Sequence, residues 1–530
     1  MTTIYFNGQI VTMDKENSTV QAILVENGRI KQVGELDKIL TNKTENTQMI
    51  DLQGKTMLPG FIDGHSHFVS LANSLSQCQL GEATSFDDIV QRMTHFIKEN
   101  AIQENEWVTG VSYDHNFLKE KKHPTCEVLD KISTTNPILI IHASSHMGVV
   151  NTKALEVLGL VANTKDLEGG RYGRREDGTL NGYMEENAFI SNQKKVPMIP
   201  FDKLLQLIEK AQSIYASYGI TTVQDGFVPK ELYQLFDALA KKHLLTLDIV
   251  GYLDLKGSGE LYKENQYVGE YNNHFKIGGY KIFLDGSPQG KTAWMKEPYK
   301  HSGDYKGYPT LKDEELYQLI ETALDNHAQL LAHCNGDAAA EQYITQFEQV
   351  LKNRNEKETY RPVMIHAQFV EDKQLERMKQ LQMIPSFFNA HTYYWGDIHI
   401  ENVGFERASG ISPIKDAVNK DMIFTLHQDA PVIQPDMLKS IWCAVNRKTK
   451  NGITLGENQC VSVLEALKGI TIYGAYQYFE EDKKGSIEVG KVADFVILDK
   501  NPLTCDKSEI DTICVLETIK EGNTVYKVEK

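Results

Sequence analysis

Short apolar runs of strand length alternate with amphipathic stretches of helical period through most of this chain. Eight runs read as strands: MLPGFID (57–63), GITTVQD (219–225), TLDIVGYL (246–253), YKIFLDG (280–286), QLLAHC (329–334), PVMIHAQ (362–368), MIPSFF (383–388) and MIFTLHQD (422–429). Helical stretches such as DEELYQLIETALDNH and GDAAAEQYITQFEQVLKN separate the later ones. Alternation of this kind predicts a parallel sheet wrapped by helices, and eight is the strand number that closes a TIM-type barrel.

Both ends have a different texture. TIYFNGQIVTMD and QAILVENGRIKQVGE near the start, and GSIEVGKVADFVILD and VLETIKEGNTVYKV near the end, read as short strands. Asn7-Gly8 and Asn27-Gly28 are expected to be their hairpin turns. Neither end alone can bury a face, so residues 1–57 and 481–530 are expected to build one composite β-sandwich, with the (β/α)8 barrel, residues 58–480, inserted between them. The first and second barrel strands lie about 150 residues apart, and the interval is expected to form an inserted subdomain, about residues 75–200, over the barrel mouth.

Composition narrows the class. The net charge of -16 argues against nucleic acid or an anionic membrane as partner. No apolar run reaches the roughly 18 residues that span a bilayer, and the N-terminus lacks the pattern of a signal peptide. Seven cysteines without CxxC spacing fit free thiols in a reducing cytoplasm. A homodimer is compatible with this composition.

The polar residues at the strand ends carry the chemistry. His65 and His67 follow the first strand, in PGFIDGHSH; alternate side chains share a face, so the pair aims two imidazoles at one point. An HxH pair alone does not define a metal site. His333 ends the fifth strand, His366 the sixth and Asp429 the eighth. All are at C-terminal strand ends, where barrel enzymes build their sites.

These residues, together with HASSHMGVVNTKAL, KIFLDGSPQGKTAW, SFFNAHTYYWGD and the tail KGSIEVGKVADFVILDKNPL, resemble the amidohydrolase superfamily. Within it they are similar to the YtcJ-like branch that includes N-substituted formamide deformylases. The resemblance covers nearly the full length. It implies a metal-dependent hydrolase whose ligands are His65, His67, Lys281, His333, His366 and Asp429. Lys281 would act as a carbamate, a two-oxygen anion able to bridge two metals. Read without the resemblance, Lys281 is sooner a lysine paired with an acid than a ligand, and Asp285 is either a rival ligand or a cap on backbone groups in its DG turn.

A nitrogen and oxygen donor set suits one or two Zn2+ ions, with Mn2+, Fe2+ or Co2+ as alternatives. Such an ion lowers the pKa of bound water toward ~7 and polarises a carbonyl, which favours hydrolysis of a small-molecule amide, N-acyl or N-formyl bond by hydroxide. Asp429 is expected to take the proton of the water and pass it to the departing amine. Tyr113, Asp114, His146, His391, Tyr394 and Trp395 either line the mouth and favour an apolar amine portion, or pack the insertion against the barrel. His427 is left without a role. Ester hydrolysis or isomerisation at the same metal site, and a non-catalytic binding protein, are the competing readings.

Overall fold

The computed structural model describes residues 2–115, 117–143, 147–168, 170–197, 199–263, 265–354 and 359–529. The chain forms two compact units, one of Met1–Phe68 with Gln212–Lys530, the other of Val69–Ala211.

In the larger unit, eight strands form one all-parallel sheet in chain order: Phe61–Ile62, Ile220–Val228, Asp248–Asp254, Phe275–Phe283, Gln329–Cys334, Val363–His366, Ile384–Phe387 and Thr425–Leu426. Each lies within one of the eight apolar runs or overlaps it. The strands are buried along almost their whole length, as in Ile384–Phe387, because helices cover a parallel sheet. Asp313–Asp325 is one such helix; it buries Leu316, Ile320, Ala323 and Leu324 and carries three acids in its first turn. Beyond the sixth strand, helix Asp372–Gln380 starts with a reciprocal cap between Glu371 and Gln374.

A second sheet in this unit joins strands from both termini, in the order Asn523–Lys527, Val515–Lys520, Phe495–Leu498, Thr56–Pro59, Thr2–Val11, Thr19–Glu26, Arg29–Gly34. Tyr5, Ile23, Met57, Phe495, Ile497 and Ile519 pack into one core, so neither terminus supplies the apolar face alone. Asn27-Gly28 is a hairpin turn with both residues at positive φ. Asn7-Gly8 is not. The strand Thr2–Val11 runs on through it, with a register shift between Phe6 and Ile10 and Asn7 at φ 57. This bulge lets one strand pair with Thr47–Asp51 before it and with Thr56–Pro59 after it.

A buried ion network ties the two sheets together. Asp248, at the start of the third parallel strand, meets Lys484 and lies 2.9 Å from Lys520 of the terminal sheet. Lys520 also pairs with Asp494 at 3.0 Å, and Lys484 with Glu480 at 3.1 Å.

The smaller unit has its own six-stranded sheet, ordered Gly170–Arg174, Leu180–Glu186, Met147–Val150, Ile138–His142, Val108–Tyr113, Cys78–Gln79. Ile138–His142 is buried on both faces: Ile138 and Ile140 join the core beneath helix Phe86–Glu99, while Leu139 and Ile141 join a core with Met184 and Phe189. The last three strands of that order are parallel, the rest antiparallel.

Candidate metal and catalytic centre

Parallel pairing brings the predicted strand-end residues of the larger unit together. Register sets Lys281 beside Leu331 and Phe283 beside His333, so Lys281 lies one inward-facing step deeper than His333. The same register puts His333 level with Ile365. Strict alternation would send His366 to the face opposite Ile365. Left-handed backbone at His366 (φ 75) and Ala367 (φ 46) turns the chain, and His366 Nε2 ends 3.1 Å from His333 Nδ1. Asp429 is left-handed as well, at φ 56. Such backbone is uncommon outside glycine and marks positions that the surrounding structure holds in place.

One ligand atom from each of His65, His366 and Asp429 lies within 4.8 Å of the others. Asp429 Oδ1 is 3.5 Å from His65 Nε2 and 3.4 Å from His67 Nε2. Lys281 Nζ is 3.2 Å from His65 Nε2. All six predicted ligand residues therefore converge. A divalent ion fits them on two counts. Asp429 Oδ1 is buried and accepts no hydrogen bond among the described residues, and its two imidazole neighbours lie beyond hydrogen-bond distance, at separations that an ion bound to all three would set.

Electrostatics prepares the donors. Burial, with Lys281 adding to it, holds His67 and His333 down to about 3 and His65 well below its usual value. These imidazoles are neutral and free to ligate. Burial raises Asp429 and lowers Lys281, each to about 7, and the two groups partly offset each other's shift.

Asp285 has another task. Its carboxylate accepts the backbone N–H groups of Trp294, Asn335 and Gly336 at 3.0, 2.9 and 2.8 Å, which fixes the turns after the fourth and fifth strands. His427 lies behind the cluster, with Nε2 3.2 Å from His366 Nδ1 and Nδ1 3.0 Å from Ser386 Oγ. Gln224 was not anticipated. Its Oε1 is 2.5 Å from His65 Nδ1, and its Nε2 donates to Gly64 O and Tyr478 Oη at 3.0 Å each. A glutamine inside the apolar run ITTVQD was the one signal that could have exposed it.

The structure also places the residues expected to meet substrate. His391 and Trp395 pack on Phe388, with ring centroids 4.6 and 6.0 Å away, and Phe388 is itself 5.3 Å from His427. Tyr394 packs on Trp395. Tyr113 and Asp114 belong to the smaller unit, where Tyr113 is fully buried. His146 lies outside the described residues.

Comparison with known proteins agrees with this chemistry. The chain is 27% identical over 543 residues to YtcJ of Bacillus subtilis, covering 99% of this chain and 100% of that protein. It is 26% identical over 535 residues to the N-substituted formamide deformylase of Arthrobacter pascens, covering 98% and 97%. The crystal structure of an uncharacterized metal-dependent hydrolase from Pyrococcus horikoshii OT3 shares the fold, with a TM-score of 0.78 at 24% identity over 96% of this chain and 99% of that one. The profile of the amidohydrolase family matches residues 48–526, and the chain belongs to that family of metal-dependent hydrolases of carbon–nitrogen bonds.

Proposed function

We propose that this protein hydrolyses the carbon–nitrogen bond of a small N-acyl or N-formyl amine, with His65, His67, His333, His366, Asp429 and a carbamylated Lys281 holding one or two divalent ions, Zn2+ first among them. The observation that carries the reading is the approach of His65 and His67 to the buried Oδ1 of Asp429, which accepts no hydrogen bond among the described residues, within a cluster that His366 joins. The similarity to an N-substituted formamide deformylase supports the choice of bond.

A divalent ion bound there would acidify a water and polarise the substrate carbonyl. Asp429 takes the proton of the water on the carboxylate oxygen left free when the other holds the ion, and delivers it to the amine nitrogen as the C–N bond breaks, since an unprotonated amine leaves poorly. Lys281 is buried among these donors, and as a carbamate it would present two oxygens where the amine presents one nitrogen. Phe388, His391 and Trp395 form an aromatic wall beside His427, suited to an apolar substituent on the amine. The same reading takes the eight parallel strands as a closed (β/α)8 barrel, the two-terminus sheet as the composite sandwich, and Val69–Ala211 as the inserted subdomain.

The test is a panel of N-formyl amines, N-acyl amines and matched esters, offered to zinc-loaded and metal-stripped protein. Turnover of a formamide or amide should yield amine and carboxylate in equal amounts, require metal, and vanish in Asp429→Asn. Full turnover by metal-stripped protein would sink the reading.

A further inference from the structure

The smaller unit holds a second histidine cluster that the reaction above does not use. Its strands Val108–Tyr113 and Ile138–His142 are parallel neighbours, and a register irregularity between Gly110 and Tyr113 brings Tyr113 level with His142. Ser112, at φ 68, makes that irregularity. The chain leaving Tyr113 therefore delivers Asp114 and His115 to the C-terminal ends of two adjacent parallel strands, beside His142. That is where sheets of this kind gather ligands.

The distances within the cluster suit a shared ion. His115 Nδ1 is 3.2 Å from His142 Nε2. Asp114 Oδ1 is 3.5 Å from His142 Nε2 and 3.7 Å from His115 Nδ1. Those last two separations are too long for hydrogen bonds. A tetrahedral ion with bonds of about 2.0–2.1 Å sets its donor atoms about 3.3–3.4 Å apart, and the three separations bracket that edge.

We propose that Asp114, His115 and His142 form a second divalent transition-metal site, built wholly from residues of the smaller unit. Two imidazoles and one carboxylate select a borderline ion of the zinc class and leave at least one coordination position for water or a further ligand. The surroundings hold the ligand rings in place. Tyr113 stands edge-on to His142 at 5.3 Å, and its hydroxyl is 3.0 Å from His123 Nδ1. His123 in turn packs on His115 at 4.1 Å and on Tyr183 at 4.6 Å. Tyr183 is anchored by its hydroxyl, which donates to Glu185 Oε2 at 2.9 Å.

The full-length protein tests this. Chelator-stripped chain is reloaded with Zn2+, dialysed and counted by plasma mass spectrometry, and a parallel Co2+ loading is read by visible absorption. His115→Ala and the milder Asp114→Asn should each bind one equivalent fewer than the unsubstituted chain. A background of His65→Ala with His366→Ala, which disables only the other centre, should retain one equivalent that His115→Ala then removes. Circular dichroism and melting identify any variant that fails to fold, in which case Asp114→Asn decides. An unchanged count in folded Asp114→Asn and His115→Ala would overturn the site, whatever becomes of the catalytic centre.

Discussion

Gln224 Oε1 lies 2.5 Å from His65 Nδ1, and this contact decides which nitrogen of His65 faces Lys281 and Asp429 in the candidate metal centre. The amide orientation is set by its other end, where Nε2 donates to Gly64 O. Oε1 is therefore the acceptor, His65 carries its hydrogen on Nδ1, and Nε2 turns an open lone pair toward Lys281 and Asp429.

Gln224→Leu removes that control. Metal affinity should fall about 10–100-fold, the usual cost of losing a partner behind a ligand, while the fold persists. Competition with a chromogenic chelator measures it, and an unchanged Kd would show that His65 needs no orienting partner.

Gly226 is the second support. A Cβ there would lie 2.3 Å from His65 Cε1 and 2.7 Å from its Nδ1, so Gly226→Ala must push the ring aside. Overpacking of this sort costs about 1–3 kcal/mol. Metal binding should weaken by on the order of tenfold, because it depends on the ring's placement. Melting curves and metal content, taken together, separate the two effects.

Lys281→Ala should lower both metal occupancy and turnover, and a short carboxylic acid in the buffer should partly restore them by supplying the missing oxygens. Carbon NMR after loading with labelled bicarbonate should show a carbamate resonance in the unsubstituted chain and none in the variant. Two metals and full turnover in Lys281→Ala would remove the bridge from the proposal.

Trp395→Ala is expected to act on the substrate alone. The ring lies 6.0 Å from Phe388 and contributes no metal donor, so KM for aromatic amides should rise while metal content and kcat stay close to their original values. Loss of metal in this variant would mean that the aromatic wall also shapes the ligand cluster.

Stability should depend on acid through Asp248. Burial alone would raise its pKa, but Lys484 and Lys520, with His274, hold it well below the usual carboxylate range. A depressed pKa gives stabilisation that is fully present above the unfolded value of about 3.9 and drains away as pH falls through the folded value. Asp248→Asn leaves two buried ammonium groups without this partner and should cost about 3–5 kcal/mol at pH 7. Calorimetric melts from pH 7 to 3 should show the gap between native and variant protein narrowing at the acid end; a gap independent of pH would refute the assignment.

Much of this molecule is written in local pattern. Apolar runs of strand length, with a histidine or aspartate at their C-terminal ends, were enough to mark all eight strands of the parallel sheet and five of the residues that converge. Periodicity is a relation between neighbours in the chain, so reading the chain recovers it. The rest depends on which strands meet. Alternation alone would have turned His366 outward, and only its left-handed backbone brings it to His333. Asn7-Gly8 has the composition of a hairpin and becomes a bulge because two different strands claim the two halves of Thr2–Val11. Gln224 reaches His65 across 159 positions, and Lys484 reaches Asp248 across 236. Asp114 and His115 become neighbours of His142 only through a shifted register between parallel strands. Sequence by itself determined which residues alternate and which end a strand; tertiary structure decided which side chains share a few ångströms, because those distances are set by strand pairing and close packing rather than by separation along the chain.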